Sequence, residues 1–264
     1  MDLQLMGKSA IVTGGTVGIG LAVARAFARE GVSTAICGRD GARAVREAAA
    51  MERDFGVLSI GIEADVSRPG SAERCAAAAE ARFGGIDILI NNAGMGSSET
   101  VMEAPDDRWQ YYWDLHVMGA VRFARAVVPS MRKRGGGAIV NTASICAKQP
   151  LGYEPIYNTT KAALVMFGKC LANELIANNI RVNTVNPGLV LTPDWRKTAE
   201  LLTQGTATTV DQYLDKIARD NAPIGRFPSP EEIADLYLFL CSPRASYCVG
   251  SAYYIDGGWL KTVE

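Results

Sequence analysis

Short apolar runs alternate with longer stretches of helical periodicity from one end of the chain to the other. The runs near Ser9–Thr13, Thr34–Cys37, Leu58–Glu63, Asp87–Asn91, Ala138–Thr142, Arg181–Val185 and Ala252–Ile255 predict strands, with helices between them. That order is the signature of an α/β fold, a parallel sheet covered by helices. The first helix is expected from Gly18 to Gly31, with Leu21, Ala22, Ala24 and Phe27 on its apolar face. Another is expected at Ser229-Pro230-Glu231-Glu232, where serine caps, proline suits the first turn and Glu232 completes a capping box. Only Leu189–Pro228 departs from the alternation, with polar spacers and short helical stretches. An excursion there, just after a strand end, predicts a ligand lid or, more plainly, a surface loop. No boundary interrupts the pattern, so residues 1–264 are expected to form one domain.

The 264 residues are 48% hydrophobic and carry a net charge of -1 from 27 basic and 28 acidic side chains. A chain of this length hides about 70% of its surface on folding, enough for a core without staples. Balanced charge argues against nucleic-acid or anionic-membrane partners, which demand a surplus of cations. The one basic run, Arg132-Lys133-Arg134 before Gly135, reads as a helix C-terminus. No apolar run is long enough to span a bilayer. Residues 1–7 are too short for a signal peptide, and six cysteines without metal-ligand spacing read as free thiols in a reducing cytoplasm.

The first strand runs into Gly14-Gly15-Thr16-Val17-Gly18-Ile19-Gly20. Glycines between a strand end and a helix start let backbone amides approach a pyrophosphate, which the helix dipole also attracts. The spacing, G-x-x-x-G-x-G, is one residue wider than the usual dinucleotide fingerprint.

Gly14–Gly20, Asp65-Val66, Asn91-Asn92-Ala93-Gly94, Ser144, Tyr157-x-x-x-Lys161 and Pro187-Gly188 occur together and in order. In this the chain resembles the short-chain dehydrogenase/reductase family over essentially its whole length. The resemblance implies a single doubly wound Rossmann domain with a seven-stranded parallel sheet, a nicotinamide dinucleotide and a homotetramer or homodimer. It places Gly14, Thr16, Val17, Gly18, Ile19 and Gly20 around the phosphates, Asp65 and Val66 at the adenine, and Asn91, Ala93 and Gly94 beside the ribose. Pro187, Gly188, Val190 and Thr192 would hold the nicotinamide end. Asp65 read alone is a turn-forming carboxylate, and Pro187-Gly188 a turn.

Cofactor choice turns on the end of the second strand, where a carboxylate would bond a free ribose hydroxyl. Gly38 stands there, followed by Arg39, whose guanidinium suits the extra phosphate of NADP. NADP is therefore expected, with NAD open because Asp40 is adjacent.

Tyr157 and Lys161, four residues apart on a helical segment, share one face. A phenol titrating near about 10 is a poor base at neutral pH, and a neighbouring ammonium favours its phenolate. Ser144, 13 positions earlier, would hold the substrate oxygen while Tyr157 transfers the proton, as the resemblance implies. His116, the single histidine, stands where the family most often has asparagine, which helps hold a water that relays protons to the lysine. Two readings are open: His116 takes that role, or it fills the space and bonds a backbone carbonyl. The aromatic cluster Trp109, Tyr111, Tyr112 and Trp113 reads as helix packing, which the resemblance puts at a subunit interface.

Met95, Gly96, Ser144, Cys146, Gln149, Tyr153, Leu189 and Trp195 outline a mostly apolar substrate pocket with a few hydrogen-bonding groups. This predicts an oxidoreductase interconverting a carbonyl and an alcohol by hydride transfer, on a neutral ketone, aldehyde or secondary alcohol of medium size. Two alternatives are a non-catalytic dinucleotide-binding regulator and a lyase or epimerase using the same site. No metal is expected.

Overall fold

A computed structural model of the chain describes residues 2–151 and 154–262. Seven strands, β1 (Ser9–Thr13), β2 (Ser33–Gly38), β3 (Ser59–Glu63), β4 (Ile88–Asn91), β5 (Gly137–Thr142), β6 (Ile180–Pro187) and β7 (Ala252–Ile255), pair in the order β3-β2-β1-β4-β5-β6-β7. Every pair is parallel. All seven predicted strands are present, with ends shifted by a residue or two.

The helices are α1 (Gly18–Arg29), α2 (Gly41–Phe55), α3 (Ser71–Phe83), α4 (Asp106–Trp113), α5 (Gly119–Lys133), α6 (Pro155–Leu175), α7 (Pro193–Thr203), α8 (Val210–Asn221) and α9 (Pro230–Cys241). Alternate residues of the strands feed two cores. Val12, Ile88, Ile90, Val140 and Val185 meet Phe27, Met51, Ile233 and Leu238 of α1, α2 and α9. Ile11, Leu89, Ile139 and Val182 meet Cys75, Phe123, Val127 and Leu175 of α3, α5 and α6. Each such side chain contributes about 1.5–3 kcal/mol by leaving water, which explains why strands covered on both faces read as unbroken apolar runs.

The expected capping box forms: Ser229 Oγ accepts from Glu232 N–H at 3.3 Å, and Glu232 Oε2 accepts from Ser229 N–H at 2.9 Å. The basic run ends α5 as expected, with Gly135 following at φ 82°. All six cysteines are free; Cys37, Cys75, Cys146 and Cys241 are buried, Cys248 is half-buried and Cys170 exposed.

Residues 189–228 are more ordered than their sequence suggests, because Thr192 and Thr209 cap α7 and α8. Leu189, Ala218 and Ala222 form a small core with Trp195, Ile217, Phe227 and Trp259. Between α4 and α5 the helix continues through a π turn, Asp114–Met118, with Gly119 N–H donating to the Asp114 carbonyl. Among the described residues no helix is long and apolar enough to cross a membrane, and no cluster of acidic, histidine or cysteine side chains could hold a metal ion.

Candidate active site

The strand order reverses between β1 and β4, which opens a crevice at the carboxyl ends of the strands. On one side lies the glycine turn. Gly14 and Gly18 adopt φ of 63° and 55°, where a side chain would be strained. A Cβ at Gly14 would stand 2.9 Å from Ala93 Cα, and one at Gly20 would enter the Gly14 carbonyl and the Asn92 amide. Asn92 Nδ2 donates to the Thr13 and Gly14 carbonyls at 3.1 and 3.3 Å, stitching the segment after β4 to the turn. Val17 precedes α1 without a side-chain cap, leaving the first amides of the helix open to an anion. This bare cradle fits a dinucleotide pyrophosphate.

Thr192 borders the same opening: its methyl lies 3.4 Å from where a Gly18 Cβ would stand. Val190 is packed in the core and Gly188 backs onto Asp256, so the turn after Pro187 is held close to β7. Asp65 accepts from Ser67 N–H at 3.0 Å and from its hydroxyl at 2.7 Å, closing the turn before α3. Val66 is buried. Asn91 turns its carboxamide inward, donating to Asn141 Oδ1 at 2.9 Å. Ala93 and Gly94 lie half-buried and exposed at the crevice, while Ile19 is half-buried and Thr16 buried beside Gly38. Arg39 is exposed at the end of β2. Asp40 instead caps α2, accepting from Arg43 N–H at 2.9 Å and pairing with its guanidinium at 3.4 Å.

On the other side, Pro155 occupies the first turn of α6, and Tyr157 and Lys161 follow on one face. Ser144, on the segment after β5, lies close enough to the Tyr157 hydroxyl to favour its ionised form, and its Oγ accepts from Cys146 N–H at 3.2 Å. Burial raises the Tyr157 phenol well above its ordinary value, and the nearby Ser144 hydroxyl opposes that only in part. Lys161 Nζ donates to the Thr142 carbonyl at 2.7 Å and lies 5.4 Å from the Tyr157 ring centre. Burial lowers its pKa to about 8.

His116 sits in the π turn, 2% exposed. Its Nε2 accepts from Met95 N–H at 3.3 Å, so Nδ1 carries the proton and donates to Thr160 Oγ1 at 2.8 Å, whose hydroxyl in turn donates to the Ile156 carbonyl at 3.0 Å. Its partners are thus a backbone amide and a hydroxyl rather than the carbonyl expected of a space-filling histidine. Burial and the Lys161 charge push its pKa well below the ordinary value, so the ring is neutral. Of the aromatic cluster, Tyr112 is buried, Trp109 and Tyr111 pack on the same core and Trp113 is exposed.

Cys146 is buried and Gln149 half-buried behind Ser144; Tyr153 lies outside the described residues. Trp195 packs edge-on against Phe227 at 5.3 Å. The sequence reading missed Glu154. This half-buried carboxylate precedes α6, three residues before Tyr157, and burial raises its pKa to about 7. No hydrogen-bond donor among the described residues sits on it, and a Cβ at Gly96 would come 2.5 Å from its Oε1. Glu154 adds a carboxylate beside Gly96 and Cys146, two of the residues expected to outline the pocket. Only the placement of the α6 N-terminus beside Ser144 could have revealed this.

Fold and crevice define the class, a Rossmann-type protein whose glycine turn fits a dinucleotide. The family model described as enoyl-(acyl carrier protein) reductase matches residues 14–260. Rabbit (Oryctolagus cuniculus) dehydrogenase/reductase SDR family member 4 is 37% identical over 96% of this chain and 94% of its own. The 3-oxoacyl-(acyl-carrier-protein) reductase of Aquifex aeolicus is 34% identical over 98% and 99%. The solved L-sorbose reductase of Gluconobacter frateurii, complexed with NADPH and L-sorbose, is 54% identical over all of both chains, with a TM-score of 0.98. The chain belongs to the short-chain dehydrogenase/reductase family, whose members are NAD(P)-dependent oxidoreductases.

Proposed function

We propose that this protein is an NADPH-dependent reductase of a polyhydroxy ketone, returning the corresponding polyol. Glu154 carries the reading: a carboxylate beside Tyr157 with no donor on it among the described residues is suited to hydroxyl donors, which a ketose offers on the carbons next to its carbonyl and a steroid or acyl chain does not. The 54% identity to an L-sorbose reductase supports the same substrate class.

Bound NADPH supplies the hydride. Arg39 pairs with its extra phosphate, while Asp40, engaged in capping α2, leaves the ribose hydroxyl unread. Ser144 holds the ketone oxygen, and Tyr157 donates the proton to it. Burial keeps Tyr157 protonated at neutral pH, which suits an acid in the reducing direction. Lys161 holds its positive charge beside the phenol as the proton leaves, and His116 fixes the neighbouring segment through Met95. Trp195, Gln149 and Cys146 shape the pocket, and residues 189–228 close over it as a lid.

The test is steady-state reduction of L-sorbose, of a 3-oxoacyl thioester and of a keto steroid with NADPH and with NADH. The reading expects the ketohexose and NADPH to be strongly preferred. Preference for the thioester or steroid would overturn it.

A further inference from the structure

Residues 95–97 have no regular secondary structure, yet each of the three is held. Met95 N–H donates to His116, the Gly96 carbonyl accepts from Tyr112 OH at 2.7 Å, and Ser97 Oγ accepts from Tyr157 N–H at 3.3 Å. Tyr112 lies four residues before His116, the rings 5.7 Å apart. Arg108, a turn earlier on α4, reaches the Tyr112 hydroxyl at 3.3 Å and bonds Glu99 at 2.6 Å, drawing the next stretch of the same segment onto that helix. On its other side Gly96 lies against Glu154, since a Cβ there would stand 2.5 Å from Oε1.

Tyr112 is only 1% exposed. Phenylalanine would fill the same volume, so the hydroxyl is present for its partners, and the nearer of these is the Gly96 carbonyl. That bond fixes the distance between α4 and the wall against which the Glu154 carboxylate rests. A carboxylate reading hydroxyls needs placement to a fraction of an ångström, because misplacement forfeits the bond.

We propose that Tyr112 is a positioning residue for substrate selectivity: by holding Gly96 it seats Glu154 against the hydroxyls beside the ketone, without touching substrate itself. The inference rests on the polyhydroxy-ketone reading above.

A double-mutant cycle between Tyr112→Phe and Glu154→Gln tests it, reading KM for L-sorbose, kcat, the NADPH dissociation constant and the melting temperature. Tyr112→Phe is expected to raise KM about ten-fold, the worth of one misplaced hydrogen bond, with NADPH affinity and kcat held within about two-fold. Because the effect passes through Glu154, the double variant should show the KM of Glu154→Gln alone, within about two-fold. A purely structural role would lower kcat, NADPH affinity and melting temperature together, and that pattern, or additive KM effects, overturns the proposal. Should Tyr112→Phe fold poorly, Glu99→Gln loosens the same segment from outside the core and is expected to raise KM in the same direction. An unchanged KM then overturns the proposal. Wild-type enzyme that ignores L-sorbose overturns the substrate reading, and the proposal falls with it; wild-type turnover with additive losses overturns the proposal alone.

Discussion

The Lys161 ammonium is anchored on the Thr142 carbonyl at 2.7 Å while standing 5.4 Å from the centre of the Tyr157 ring. Its charge is thus fixed beside the phenol before any ligand arrives. With its pKa lowered to about 8, Lys161 is charged below that pH and neutral above it. At saturating substrate, ketone reduction is expected to hold steady through neutrality and fall as pH rises through about 8. Tyr157→Phe should reduce kcat by about 100-fold or more while leaving NADPH binding intact. A pH–rate profile together with fluorescence titration of the variant checks both.

Glu154 gives a second pH dependence of opposite sense. Its folded pKa of about 7 lies above the ordinary carboxyl value, so protonation favours the folded state. The stability this contributes is full below the unfolded value and is lost as pH rises toward 7. Glu154→Gln should therefore melt higher than wild type at pH 8, with the gap closing by about pH 5. For substrate, the ionised carboxylate is the stronger acceptor, so KM for a ketose should fall as pH rises through about 7, and that fall should vanish in the variant.

On the proposed reading, Arg39 and Asp40 divide the choice of nicotinamide. Arg39→Ala should lower the preference for NADPH over NADH about ten-fold, the scale of one charge-assisted hydrogen bond. Asp40→Ala should cost helix α2 about 1 kcal/mol through the lost cap, without changing that preference. Paired titrations with the two nucleotides and thermal melts separate these outcomes.

His116, being neutral, should add no inflection near about 6.5 to the activity profile. Replacing it with phenylalanine leaves the Met95 amide and the Thr160 hydroxyl without their partner, a loss of about 1–3 kcal/mol. KM should rise with it, since Met95 adjoins the pocket. Melting curves and substrate saturation measure the two effects.

Much of this molecule could be read from its residues. Val12, Ile90 and Val140 are buried on one face of the sheet and Ile11, Leu89 and Ile139 on the other, and unbroken apolar runs announce such strands directly. The order of Gly14–Gly20, Ser144, Tyr157 and Lys161 along the chain pointed to one crevice, and the fold brings all of them to it. Glu154 was hidden because a carboxylate before a proline looks like an ordinary helix start, and its chemistry comes from burial that only packing creates. Of helix α8 only a short helical stretch was legible, for a smaller reason. Thr209 and Gln212 form a capping box as complete as that of Ser229 and Glu232, but the neighbouring threonines, Thr206 and Thr208, concealed the signal. Asp65 shows the opposite case: the plain reading as a turn carboxylate is what its two bonds to Ser67 display.

The π turn at Asp114–Met118 holds one residue more than an α turn would need. Removing a single residue there would restore an ordinary helix and swing everything upstream, Arg108 and Tyr112 included, through about 100° relative to α5. Arg108 and Tyr112 would then point away from the segment they now fasten. Point substitutions at this turn are consequently milder than a deletion, because what it encodes is phase: one amino acid of helical register decides which face of α4 looks into the crevice.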